Sequence, residues 1–396
     1  VNLAWPAVTV ILGIGLLFGS GASSLISICL GSHDKERAER LLGTVLKSLL
    51  IIGVGLMILG PLFANPIIKF LGATEETFGY TKDYFIVIYL MAIPYLLANA
   101  LNPLVRADGN PHLSMLMVGA GAIGNIILDW LFVIELGMGT MGAALATGAG
   151  VIFSTIIGLW YFLSGKSHVK FHKKYFKIDK KLLKDIFKIG FVSFMIQISI
   201  GVVILVQNVI LYQYGNTADI AIFCVTGYVI SLYTQLCVGM SQGMQPLIGC
   251  HYGANQIKRM HKLLQITLIA SVMTSIVALL ALIFYGEYFI RLYGIAENLL
   301  DLAYNRTIIF CLGIPFIGIV YTMGAYYQAL NRNIEANIVS IGRSFVLQIL
   351  FSLTLPIFMG VEGVFYAQPF SDIGSIFILI GVMLYCHMKA KNKKVA

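Results

Sequence analysis

Asp129 is a carboxylate in the middle of an apolar run, and the residues spaced around it are those that complete a cation or proton site. Asn125 precedes it by one helical turn on the same face, at i, i+4 spacing. Thr147 lies in the next apolar segment, and Asn99 and Tyr84 lie in the preceding one. Counted from the same end of their spans, Asp129 sits about 10 Å and Thr147 about 8 Å deep, so the two share a level. A lone carboxylate in low dielectric binds a proton. Amide and hydroxyl oxygens beside it would instead complete a shell for a small cation, Na⁺ included. The competing reading is plain helix packing, since Asn and Thr hold apolar helices together by hydrogen bonds. An acid in that setting costs so much that function is the default.

Asp372, in Gln368-Pro369-Phe370-Ser371-Asp372, is the second deep acid. Gln197, Gln207, Asn208, Gln235, Gln242 and Gln245 add an uncharged polar line to that half, with Gln368, Gln197 and Asn208 as the partners expected for Asp372. Tyr, Phe and Met are numerous enough (20, 24 and 15) to line an adaptable cavity for flat organic cations. The six cysteines stand singly in apolar context, with no CxxC pair, and the seven histidines are scattered. Without clustered His, Cys or Ser–His groups there is no reactive constellation, so neither an enzyme nor a bound cofactor is expected.

The elements that position these residues are membrane helices. The chain has 396 residues, 58% hydrophobic and 11% charged, with mean hydropathy +0.86. No soluble core could hide so much apolar surface, and runs of about 20 apolar residues cross a bilayer as helices. Eleven spans are predicted: 5–30, 41–63, 84–103, 113–136, 142–163, 187–212, 220–252, 263–284, 307–330, 334–358 and 364–387. The net charge of +9 is sorted by loop rather than gathered for nucleic acid. Loops after odd-numbered spans are basic (Lys35, Arg37, Arg40; Arg106; nine lysines from Lys166 to Lys188; Lys258, Arg259, Lys262; Arg332; and the tail Lys389, Lys391, Lys393, Lys394). Lys and Arg mark cytoplasmic loops, so residue 1 is expected outside and the C-terminus in the cytoplasm.

A shift of 222 residues superimposes the halves. Gly21, Leu25, Gly31, Arg37 and Leu41 fall on Gly243, Leu247, Gly253, Arg259 and Leu263; Gly72, Glu75 and Ala107 fall on Gly294, Glu297 and Ala329. With a one-residue slip, Pro94, Gly139, Gly142 and Ala146 meet Pro315, Gly360, Gly363 and Ala367. The sixth span moved back by 222 lands before residue 1, so the sequence reads as a fragment that lacks a matching first helix. Six plus six spans give parallel halves related by an axis along the membrane normal.

Gly19–Gly31 followed by Asp34, the run Arg106–Pro111, Asn125-Ile-Ile-Leu-Asp129 and Gly139–Thr147 resemble MATE (multidrug and toxic compound extrusion) transporters. Gly239–Gly249 and Tyr252-Gly-Ala254 resemble the family's bacterial multidrug branch. The resemblance implies an all-α polytopic membrane protein of two pseudo-symmetric six-helix lobes around a central cleft, with eleven of twelve helices present. The corresponding division is an N-lobe at 1–163, a basic cytoplasmic linker at 164–186, a C-lobe at 187–388 and a basic cytoplasmic tail at 389–396. It implies alternating-access export of lipophilic organic cations in exchange for Na⁺ or H⁺, and so a role in antibiotic resistance. The protein would sit in the plasma (inner) membrane as a monomer. The family's N-lobe ion site falls on Asn125, Asp129 and Thr147, with Asn99 and Tyr84 nearby and the Ala143 carbonyl contributing. Its other key carboxylate belongs to the first helix, and a C-lobe Na⁺ site of the family's kind is not expected, because the sixth span has no acid. The alternatives are a flippase of lipid-linked saccharides from the same superfamily and a sugar- or peptide-type carrier with another twelve-helix fold.

Overall fold

The computed structural model describes residues 5–71 and 73–395, without the side chains of Glu76, Thr217 and residues 390–395. Gly72 and the side chains of the tail lysines Lys391, Lys393 and Lys394 therefore lie outside what is described. Within them the chain is helical, with no strand. In order the helices are α1 (Trp5–Gly31), α2 (Lys35–Leu62), α3 (Ala64–Phe70), α4 (Glu75–Leu90), α5 (Ala92–Ala107), α6 (Pro111–Asp129) and α7 (Gly139–Leu163). They continue with α8 (Lys180–Tyr214), α9 (Thr217–Gly253), α10 (Ile257–Leu292), α11 (Leu300–Cys311), α12 (Ile314–Ala329), α13 (Asn333–Ile341), α14 (Gln348–Met359) and α15 (Val361–Val395). Two π-helical turns intervene: Trp130–Glu135 extends α6, and Gly342–Leu347 joins α13 to α14.

Ten stretches are long and apolar enough to cross a membrane, and the bent pair α4–α5 makes an eleventh. The third span, read from sequence as one helix, is bent by 60° at Met91. Proline explains the position. Its ring clashes with the carbonyl four residues back; four before Pro94 is Leu90, the last residue of α4, and four before Pro315 is Cys311, the last residue of α11.

The internal repeat is visible in element boundaries. α1 and α9 end at Gly31 and Gly253; α2 and α10 start at Lys35 and Ile257. α5 and α12 are both 16 residues long and start at Ala92 and Ile314. α6 and α13 start at Pro111 and Asn333, α7 and α15 at Gly139 and Val361. Each pair is offset by 222. The helix-ending turns agree too: His33 and Asn255 take φ of 61° and 56°, and Gly109 and Asn331 take 96° and 58°. A left-handed residue just past a helix closes its last carbonyls. The following helices are then restarted by side-chain caps: Asp34 accepts from the Arg37 amide at 3.1 Å, and Asn110 from the Leu113 amide at 3.0 Å with Pro111 in the first turn.

Contacts divide the chain into two compact units. Unit 1 is Val1–Ile198 with Gly249–Gln256; unit 2 is Ser199–Ile248 with Ile257–Ala396. The division falls inside α8 and α9 rather than at the predicted linker, because the linker is itself packed on unit 1. Thr44 donates to the Lys177 carbonyl at 3.3 Å, the Tyr175 hydroxyl donates to Glu36 at 3.1 Å, and the Tyr175 carbonyl lies against Gly43. All nine lysines from Lys166 to Lys188 are exposed. In unit 1, α1 is enclosed by its neighbours, whereas α6 buries only Ser114 and Met117 and turns Met115, Ile123, Ile126 and Ile127 outward. A helix whose outer face is this apolar belongs against lipid. In unit 2, buried Arg306 ties three helices together. It pairs with Asp219 of α9 and with Glu362 of α15 at 2.7 Å, and stacks 4.9 Å from the Phe365 ring.

Candidate functional site

The seam between α6 and α7 assembles the residues expected of an ion site. Glycines make the seam close: a Cβ on Gly150 would meet the Gly121 carbonyl and Asn125 Cβ, and one on Gly121 would meet Ser154 and the Gly150 carbonyl. Small residues let membrane helices approach in this way. One turn along from Gly121, Asn125 donates from Nδ2 to Thr147 Oγ1 at 3.4 Å, and Thr147 in turn donates to the Ala143 carbonyl at 2.8 Å. These bonds use the amide nitrogen of Asn125 and leave its carbonyl oxygen as a ligand atom on the face that carries Asp129.

Asp129 is half-buried and, among the described residues, makes no ion pair. It is the last residue of α6 before the π-helical turn, a helix irregularity that occurs often at functional sites. Tyr84 of α4 is 4% exposed and lies within electrostatic reach of the Asp129 carboxylate. Tyr84 of α4 thus faces Asp129 of α6, and one turn away Asn125 is bonded to Thr147 and through it to the Ala143 carbonyl of α7.

Asn99 is apart from this group. Its Nδ2 donates to the Tyr95 carbonyl within α5 at 2.9 Å, and its Cβ packs against Gly15 of α1. The bend at Met91 lies between it and Tyr84. Buried Tyr95, which the sequence reading passed over, lies in the same interior; its hydroxyl has no hydrogen-bond partner among the described residues.

In unit 2 Asp372 is fully buried, and its partner is a charge that the sequence reading missed. Arg343 Nε donates to Asp372 Oδ1 at 2.8 Å. Gln368 Nε2 donates to both carboxylate oxygens, at 3.2 and 3.0 Å. Asp372 with Gln368 is therefore assembled as expected, but as part of an ion pair and not as an open carboxylate. Gln197 belongs to unit 1, beside Gly13 of α1, and Asn208 is exposed. It is the neighbouring Gln207 that is buried, donating to Ser352 at 3.3 Å. The omission of Arg343 has a simple cause: deep charges were sought among acids, and an arginine inside an apolar span carries the same signal.

Asp108, in the run Arg106–Pro111, does different work. It is 2% exposed and accepts from the Tyr161 hydroxyl at 2.7 Å and from the amides of His168 and Val169 at 2.8 and 2.7 Å. Three donors satisfy this buried carboxylate, and they fasten the start of the linker to α5 and α7.

The MatE family model matches residues 1–131 and 191–354. The multidrug export protein MepA of Staphylococcus saprophyticus is 29% identical over 362 residues, covering 89% of this chain and 80% of that protein. MepA of Staphylococcus aureus strain MRSA252 is 27% identical over 361 residues, with the same coverage. Among solved structures, a crystal structure of MATE in complex with MaL6 superimposes with TM-score 0.92 at 22% identity, covering 99% of this chain and 88% of that one. The MATE multidrug transporter DinF-BH, solved as a ligand complex, superimposes with TM-score 0.89 at 28% identity, covering 97% and 86%. Sequence match and helical fold agree through both units, and the chain belongs to the MatE family of membrane transporters.

Proposed function

We infer that this chain is a multidrug exporter that moves lipophilic organic cations out of the cell by alternating access, in exchange for Na⁺ or H⁺ bound at Asp129. One observation carries the reading. Asp129 is an acid within a lipid-facing helix, without a cationic side chain paired to it among the described residues, and it lies one turn from Asn125, which is bonded to Thr147 and through it to the Ala143 carbonyl. A carboxylate so placed needs a mobile positive charge, because a net charge in low dielectric is costly. A proton on Asp129 or a Na⁺ shared with Asn125 Oδ1 would each neutralise it. The names of the relatives support the cargo: multidrug export protein for MepA, and multidrug transporter for DinF-BH. The loop charges support a plasma-membrane protein with a cytoplasmic C-terminus.

The test is export from sealed vesicles that contain the purified protein. With an imposed Na⁺ or H⁺ gradient, applied separately, a cationic dye such as ethidium should be driven against its own gradient by one of them. Asp129→Asn should abolish gradient-driven export while the protein stays folded. Unchanged export by that variant would remove Asp129 from the mechanism.

A further inference from the structure

Gly121 of α6 falls on Arg343 at the offset of 222, and with the one-residue slip that aligns α7 with α15, Gly150 falls on Ser371, the residue before Asp372. The α6–α7 seam of unit 1 is therefore the counterpart of the seam in unit 2 between the α13–α14 span and α15. In unit 1 two glycines meet there, one turn from Asn125 and Thr147. In unit 2 the same seam holds an arginine and, next to Ser371, an aspartate. Where unit 1 has Asn125 and Asp129, unit 2 has Leu347 and Phe351. With the same slip Thr147 falls on Gln368, which bonds the Asp372 carboxylate.

The pair is built in from all sides. Asp372 is 0% and Arg343 9% exposed. The Arg343 guanidinium lies 5.1 Å from the Tyr321 ring of α12, and its carbonyl, in the π-helical turn Gly342–Leu347, accepts from Ser371 at 3.1 Å. Gly313, at the break between α11 and α12, leaves room for the carboxylate; any Cβ there would strike it. Cys311 of α11 and Tyr233 and Cys237 of α9 are the other titratable groups near the pair, and they bring no further formal charge.

We propose that Arg343 is the resident cation of unit 2. Its guanidinium fills, at Asp372 and Gln368, the place that an exchangeable Na⁺ or proton takes beside Asp129 in unit 1. Unit 2 is then held permanently in the cation-loaded form, and ion exchange is confined to unit 1. The proposal rests on the reading of Asp129 given above, and its test separates the two.

The measurement is cation occupancy in the purified full chain in lipid nanodiscs: ²²Na⁺ bound per chain, protons taken up per chain between pH 8 and pH 5, and the thermal unfolding midpoint. Arg343→Gln should expose Asp372 to an exchangeable occupant. It should gain one Na⁺ or one proton per chain over the parent, and millimolar guanidinium chloride should displace that extra occupant. Arg343→Gln with Asp372→Asn should lose the gain, and Arg343→Lys should match the parent. In the Asp129→Asn background the gain should persist, so that failure of the Asp129 reading leaves this result intact. No added occupant in Arg343→Gln, or the same gain after Asp372→Asn, would overturn the proposal. If Arg343→Gln does not fold, recovery of folded protein by guanidinium, Na⁺ or low pH supports it; failure of all three, or folding of the double variant only with the same additions, overturns it.

Discussion

At the residue scale, the consequence of Asn125 and Thr147 is how tightly Asp129 holds its cation. A hydrogen bond or dipole aimed at a charged group contributes about 1.5 kcal/mol, which is about a tenfold change in affinity. Thr147→Val removes the hydroxyl that Asn125 donates to and that itself bonds Ala143. It keeps the side chain's size. We therefore expect the coupling-ion concentration for half-maximal dye export to rise about tenfold, with the thermal midpoint little changed; an unaltered ion dependence would place Thr147 in packing alone. Asp108 predicts the opposite pattern. Its carboxylate takes three bonds in a buried place, and Asp108→Ala leaves the His168 and Val169 amides without acceptors. The cost should be about 3 kcal/mol, and it should appear as trypsin cleavage in the linker, whose exposed lysines flank those amides, before any loss of the rest of the fold.

At the element scale, the seam between α6 and α7 is what turns four polar side chains into one site. Gly150→Leu would drive a side chain into the Gly121 carbonyl and Asn125. Overpacking of this kind costs about 1–3 kcal/mol, and here it also parts Asn125 from Thr147. Gradient-driven export should fall at least tenfold, whereas Gly119→Ala in the facing helix α6, where a Cβ meets nothing within 4 Å, should leave export and stability as they are. How legible was this from sequence? The repeat of helix ends at 222 was legible, because local chemistry sets those ends through the left-handed turns at His33 and Gly109 and the caps Asp34 and Asn110, but α2, α4, α8 and α10 begin six to nine residues before the predicted spans. The Asn125–Asp129 face followed from helical spacing. The bend at Met91 was within reach, since Pro94 fixes it. The pairing of Arg343 with Asp372 was not, since 29 residues and a π-helical turn separate them and no local pattern reports which helix faces which. The same limit misplaced Asn208, one residue from the buried Gln207.

At the scale of the whole molecule, the two units share a plan of helices and differ in how they neutralise their deep acid. Asp129 of unit 1 has no ion pair among the described residues, and on the reading proposed above it takes a mobile cation, whereas Asp372 of unit 2 is paired with Arg343. A duplicated fold has no need to duplicate an ion site, because each seam is stable once its charge is balanced, whether from solution or from the chain. On the proposal above, this asymmetry takes unit 2 out of the count of coupling ions. With one open carboxylate among the deep acids described, the dependence of dye export on Na⁺ or H⁺ should follow a single-site curve, with a Hill coefficient near one. Asp129→Asn should remove all saturable binding of the coupling ion, not half of it. A Hill coefficient near two, or one ion still bound at full affinity by Asp129→Asn, would mean that unit 2 exchanges ions after all, and that its guanidinium gives up the carboxylate during the transport cycle.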